Sequence, residues 1–198
     1  MKNKHNNMTN ITRTILTALI IILAATATRA AKVDTLSVYS QKMKRSLSTI
    51  VYTPDAAGEA KYPVIYLLHG YSGNSTTWPG ITDVARLADT YRTIIVCPDG
   101  QNSWYVDSPV DPSMQFETFI SKELPEYIDA HYPTYARREL RAITGLSMGG
   151  HGAMWNGLQH PDVFGNIGTT SGCMDICQYP NCWQIEKVLG NKFQNETV

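Results

Sequence analysis

Gly145-Leu146-Ser147-Met148-Gly149 sets a serine between two glycines. It follows the β-prone run Arg141-Ala142-Ile143-Thr144 and precedes Gly150-His151-Gly152-Ala153-Met154-Trp155. A strand before, a helix after and glycine on both flanks describe a turn so tight that a larger Cβ on either side would collide. Ser147 would then stand at a helix N-terminus, where free N–H groups and the helix dipole favour developing negative charge. A hydroxyl in that setting suits nucleophilic attack on a carbonyl carbon. The helix should end near His160-Pro161, because proline restricts the residue before it.

Upstream, the apolar run Tyr62-Pro63-Val64-Ile65-Tyr66-Leu67-Leu68 enters His69-Gly70-Tyr71-Ser72-Gly73. A strand running into such a loop can present a backbone amide to the reacting carbonyl. The Tyr71 and Met148 N–H groups are therefore expected to face the oxygen as it becomes an oxyanion. His69 is expected to shape that loop by hydrogen bonding at the border of the substrate site, and not to act as a base. Trp104, Tyr105 and Asp107 follow the end of the strand-like run Thr93-Ile94-Ile95-Val96, the place where open α/β sheets bind ligands. Aromatic rings beside a carboxylate suit stacking on a sugar or an aromatic acyl group, so these three are expected to line the substrate pocket. His151, on the helix opened by Ser147, should point into the packing beneath the turn.

The motifs His69-Gly70-Tyr71-Ser72-Gly73, Cys97-Pro98-Asp99-Gly100, Ser103-Trp104-Tyr105-Val106-Asp107-Ser108-Pro109 and Thr144 to Ala153 together resemble the esterase D-type branch of the α/β-hydrolases. That branch holds acetylxylan and feruloyl esterases, tributyrin-type esterases, S-formylglutathione hydrolases and mycolyltransferases. The resemblance runs from about Val33 to Leu189. It implies an α/β-hydrolase fold and a serine esterase with Ser147 as nucleophile and Tyr71 and Met148 as oxyanion donors. It also implies a triad completed, in chain order, by an acid and a histidine beyond the serine. Those two positions have no counterpart in this sequence, and Asp107 precedes the serine. The expectation is thus a hydrolase lacking its last strands and helices. At about 30 residues per βαβ unit, roughly 60–90 further residues would complete it. The substrates implied are acetyl or feruloyl esters on carbohydrate, with no cofactor. The alternatives are an inactive relic that at most binds carbohydrate, or an acyltransferase of the same fold.

The elements that must position these groups are legible as alternation. Val33–Ser40 and Leu47–Thr53 read as an antiparallel pair at a sheet edge, with Asp55-Ala56-Ala57-Gly58-Glu59 as the next turn. Apolar residues at helical spacing mark one helix from Ile81 to Tyr91 and another from Phe116 to Ile128, which Pro125 should kink or split. Val163–Thr169 reads as a further strand and Trp183–Leu189 as a short helix. From Pro63 onward the pattern predicts a mostly parallel sheet with helices on both faces.

Lys2, Lys4 and Arg13 precede the apolar run Ile15–Ala25, followed by small residues. This is the layout of a secretory leader over residues 1–30, too short for a spanning helix, with the hydrolase domain at 31–198. Its removal would take four basic residues and no acidic one, leaving a formal charge of −4. That gives no basic field for nucleic acid or an anionic membrane. The expectation is a secreted or periplasmic protein acting on a small-molecule or polysaccharide ester. Of the four cysteines, Cys97 should be a buried small side chain. Cys182 could bridge to Cys173 or Cys177, and no metal is expected because no nearby histidine completes a zinc set.

Overall fold

The computed structural model of the chain describes residues 30–55 and 60–191. The leader expected over residues 1–30 and most of the turn expected at 55–59 lie outside the described residues. Six strands form one sheet in the order β1-β2-β4-β3-β5-β6. They are β1 (Lys32–Ser40), β2 (Arg45–Thr53), β3 (Val64–Leu68), β4 (Ile94–Pro98), β5 (Arg141–Gly145) and β6 (Asn166–Ile167). β1 pairs antiparallel with β2, and β2 antiparallel with β4, whereas β4, β3, β5 and β6 run parallel. The edge hairpin expected from the sequence is therefore present, and the sheet is parallel from β4 through β6.

Alternating side chains feed two layers, as the period of a strand requires. Val64, Tyr66 and Leu68 of β3 and Ile94 and Val96 of β4 join the larger cluster, with Phe116, Phe119, Ile120, Leu124, Met148 and Ala153 from helices. Ile95 and Cys97 point the other way, onto Val84 and Ala88. Helices thus cover both faces. Cys97 is 1% exposed, and burial pushes its thiol up to about 12; it is a core side chain, as its sequence context implied. All four cysteines are free thiols, so neither expected bridge is formed.

Three elements differ from their sequence pattern. The helix expected from Ile81 is two helices, Thr77–Ile81 and Val84–Tyr91, because the Asp83 carboxylate accepts the Arg86 N–H at 3.0 Å and caps the second. Ile81 ends the first helix and is 65% exposed, outside the core stripe. The Phe116–Ile128 helix is not broken by Pro125. A π-turn over Phe119–Glu123 joins Phe116–Thr118 to Leu124–His131, a common way to absorb a proline's missing N–H and bulk. The expected strand Val163–Thr169 shrinks to Asn166–Ile167, because the Gly165 N–H turns to the carbonyls of Arg138 and Arg141.

Candidate active site

Ser147 links β5 to the helix Met148–Gln159, with φ 56° and ψ −116°. Left-handed backbone at a non-glycine residue costs of order 1–3 kcal/mol and persists only where its surroundings force it. Here the forcing groups are visible. The Ser147 N–H donates to the Thr170 carbonyl at 2.9 Å, and the Gly149 N–H to the Leu146 carbonyl at 2.8 Å. A Cβ on Gly145 would lie 2.5 Å from the Gly149 backbone, and one on Gly149 would lie 2.4 Å from the Leu68 carbonyl. Both glycines are therefore demanded by close approach of β3 and the helix. Ser147 itself is exposed.

The loop after β3 is drawn against this turn. A Cβ built on Gly70 would sit 3.6 Å from Ser147 Cβ, an ordinary contact. His69, 1% exposed, organises the loop with both ring nitrogens: Nε2 accepts the Gly100 N–H at 2.9 Å, and Nδ1 donates to the Gly70 carbonyl at 2.7 Å. With both ring nitrogens engaged and the ring buried, His69 shapes the loop by hydrogen bonding as expected. It presents no surface to substrate, although a place among the substrate-binding residues at the border of the site had been expected. Ser72, at φ 62°, donates its N–H to Asn102 Oδ1 at 2.8 Å. Among the described residues, neither the Tyr71 nor the Met148 N–H has an acceptor within the protein. Two unspent amides thus flank an exposed serine hydroxyl, the donor arrangement that oxyanion stabilisation requires.

The aromatic segment is buried more deeply than its sequence position suggested. Tyr105 is fully buried; its hydroxyl donates to the His69 carbonyl at 3.0 Å. It supports the oxyanion loop from beneath and offers no face to a ligand. Trp104 is 3% exposed, with its ring edge-on to His151 and its Nε1 donating to the Trp183 carbonyl at 3.2 Å. Asp107 accepts the Thr118 N–H at 2.9 Å and the Thr118 hydroxyl, tying the loop to the helix that starts at Phe116. All three are thus supports of the site, where pocket lining had been expected. The exposed ring in this region is Trp183, 48% exposed and edge-on to Tyr179.

His151 lies in the packing, as expected. Its Nδ1 donates to the Trp104 carbonyl at 3.1 Å, and burial holds its pKa below the ordinary histidine value against the opposing pull of that bond. His160, passed over in the sequence, pairs with Glu117 at 2.9 Å. His131 bonds to the Tyr127 carbonyl. Among the described residues no histidine is hydrogen-bonded to Ser147, and no His, Cys, Asp or Glu cluster could hold a metal ion. Asn102 and Thr170, which fix the two loops around the serine, also escaped sequence reading. Neither belongs to a motif, and both act through pairings set by the folded chain.

Comparison with known proteins agrees with this geometry. Residues 40–197 match the family model named Esterase, so the chain belongs to the Esterase family. An acetyl esterase of Caldicellulosiruptor saccharolyticus is 31% identical over 147 residues, covering 70% of this chain and 55% of the relative. The chain therefore spans about half the length of that curated relative. Among solved structures, a ferulic acid esterase superposes with a TM-score of 0.70 at 31% identity, covering 82% of this chain and 67% of the other. An S-formylglutathione hydrolase from Agrobacterium tumefaciens shares the fold at TM-score 0.73 and 24% identity, covering 83% and 66%. The sheet and helices described above are those of an α/β-hydrolase.

Proposed function

We propose that this chain carries the nucleophile and oxyanion hole of an exported serine carboxylesterase acting on acetyl or feruloyl groups attached to carbohydrate. The observation that carries the reading is the exposed Ser147 hydroxyl, held at strained backbone beside two unspent amides. Ser147 Oγ attacks the ester carbonyl. The Tyr71 and Met148 amides receive the oxyanion, the alcohol leaves, and water then releases the acid from the acyl-enzyme. Each amide is worth about 2.7–4 kcal/mol of transition-state stabilisation, judged from the loss of one such donor elsewhere. Proton transfer needs a histidine and its acid, and among the described residues no histidine is bonded to Ser147. Family membership and the names of the similar proteins, an acetyl esterase and a ferulic acid esterase, support the substrate class. Export rests on the sequence layout of residues 1–30, and the mass of the secreted product tests it: a chain retaining residue 1 would refute a cleaved leader.

A second reading, a non-catalytic carbohydrate-binding relative, is favoured by one observation: every described histidine is bonded elsewhere than to Ser147. An acyltransferase is the remaining variant, in which a sugar alcohol outcompetes water for the acyl-enzyme. Release of acetate or ferulate from acetylated and feruloylated xylo-oligosaccharides separates the three. The esterase reading expects release that Ser147→Ala abolishes. No serine-dependent release supports the second reading, and an acylated acceptor alcohol supports the third.

A further inference from the structure

A cleft of about 280 Å³ opens one loop away from Ser147, at the same end of the sheet, lined by Arg45, Gln101, Asn102, Asp111, Gln184 and Lys187 among others. Its position follows from the topology. β2 runs antiparallel to β4 with Thr49 opposite Pro98, so Arg45, the first residue of β2, reaches past the carboxyl end of β4 to Gln101 and Asn102. Ligands of open α/β sheets bind outside such strand ends. Two of its lining residues connect to the surroundings of the nucleophile. Asn102 holds the Ser72 N–H, one residue from Tyr71. Gln184 follows Trp183, whose carbonyl accepts from Trp104, the ring packed on His151 of the nucleophile's helix.

The lining has the chemistry of an anion site. Arg45 Nη2 donates to Gln101 Oε1 at 3.2 Å and its guanidinium lies over the Phe116 ring at 5.4 Å, so the side chain is held in place; its Nε is buried with no hydrogen-bond partner. Lys187 is exposed on the helix Ile185–Leu189. Among the described residues neither cation forms an ion pair with a carboxylate. Asp111 offsets one of the two charges, but its Oδ1 already accepts the Ser113 N–H at 2.8 Å and hydroxyl at 2.6 Å. Among the lining residues two cations stand against one carboxylate, with Asp99 near Arg45 just outside the lining, and the amides of Gln101, Asn102 and Gln184 add donors and acceptors suited to hydroxyls. The volume is just below the range of about 300–1,000 Å³ usual for drug-sized ligands, which suits one sugar ring.

Building on the esterase reading, we propose that this cleft is a subsite for a uronic acid residue of the carbohydrate that carries the ester. Arg45 and Lys187 receive its carboxylate while the acyl group lies at Ser147. Guanidinium recognition of a carboxylate is directional as well as charged, so the cleft selects acidic over neutral sugars.

The test uses the full chain, isotope-labelled, titrated at pH 7 with sodium galacturonate and, separately, galactose. Binding is read from the amide signals of Gln101, Asn102 and Gln184. Galacturonate should shift these signals with at least roughly tenfold higher affinity than galactose. Exposed charges at this range are worth about 0.2–1 kcal/mol. Lys187→Gln should accordingly weaken binding roughly 1.4- to 5-fold, and Asp111→Asn should tighten it by a similar factor. Arg45→Gln should weaken it more, but Arg45 also packs on Phe116, so the two surface variants decide the matter. Equal affinity for both sugars, or no response to Lys187→Gln and Asp111→Asn, overturns the subsite. Labelling of Ser147 by a fluorophosphonate in the same sample reports on the esterase reading separately. A labelled Ser147 without uronate preference sinks only the subsite, whereas uronate preference with the label on another serine sinks only the esterase reading.

Discussion

Ser147 concentrates the cost of the site in one residue. Its left-handed backbone is tolerated because Gly145 and Gly149 let the strand and helix close on each other to distances no side chain would allow. Gly149→Ala forces a methyl group against the Leu68 carbonyl, a backbone atom that cannot rotate away. Overpacking of this kind costs about 1–3 kcal/mol, and a fall of that size in urea-unfolding free energy is expected; an unchanged midpoint would show the turn to be looser than described. His151 gives a pH signature. Burial lowers its pKa below 6.5, so the unfolded chain holds this proton more readily than the folded one. The stability due to the neutral ring is therefore present above pH 6.5 and is lost as pH falls through the unfolded value towards the folded one. An NMR titration should place the folded ring below 6.5, and a midpoint at or above 6.5 would contradict its burial. At this scale the strand–turn–helix geometry around Ser147 was legible, because glycine spacing and a strand-to-helix switch are written locally. The supporting roles of Tyr105, Trp104 and Asp107 were not. Residue type gives polarity and shape, but only the folded chain decides that Tyr105 reaches the His69 carbonyl instead of solvent.

Among the elements, the parallel strands were the most readable, since β3 and β4 are short apolar runs bounded by turn residues and β5 is a short β-prone run ending in the glycine-flanked turn. β6 was overread: Val163 and Phe164 contribute apolar contacts to the core from a turn, so hydrophobicity there reports packing and not strand pairing. Pro125 was expected to kink or split its helix; the helix changes from a π-turn to an α-helix immediately before it, and the π-turn carries Phe119 and Ile120 into the core. The loop 99–108 is the element on which the site depends most, because it braces the oxyanion loop through Gly100, Asn102 and Tyr105. Asp107 anchors that loop to the first turn of the Phe116 helix, where a carboxylate also meets the helix dipole. Hydrogen bonds to a charged group contribute about 1.5–3 kcal/mol. Asp107→Ala should lower stability by about that amount and also depress any Ser147-dependent turnover, as measured by urea unfolding and ester release on the same sample. Retention of both would detach the loop from the site.

Across the described residues, sheet order and two-faced helical cover place the serine, its flanking amides and the Arg45–Lys187 cleft at one end of the parallel strands, so the proposed nucleophile and the proposed sugar subsite share a rim. The chain covers 55% of the curated acetyl esterase it matches and 67% of the ferulic acid esterase structure. In the proposed reading the described residues offer a serine nucleophile and two amide donors, and none of the described histidines is bonded to that serine. Composition set the outer bounds at this scale: a near-neutral chain whose proposed mature form is mildly acidic has no field for nucleic acid. It said nothing about which sugar. The most direct measurement is to expose the purified chain to a fluorophosphonate, then determine intact mass and map the modified peptide. The account predicts a single adduct on Ser147 that is absent from Ser147→Ala. An adduct that falls on another serine, or that persists in Ser147→Ala, would contradict the assignment of Ser147 as the nucleophile.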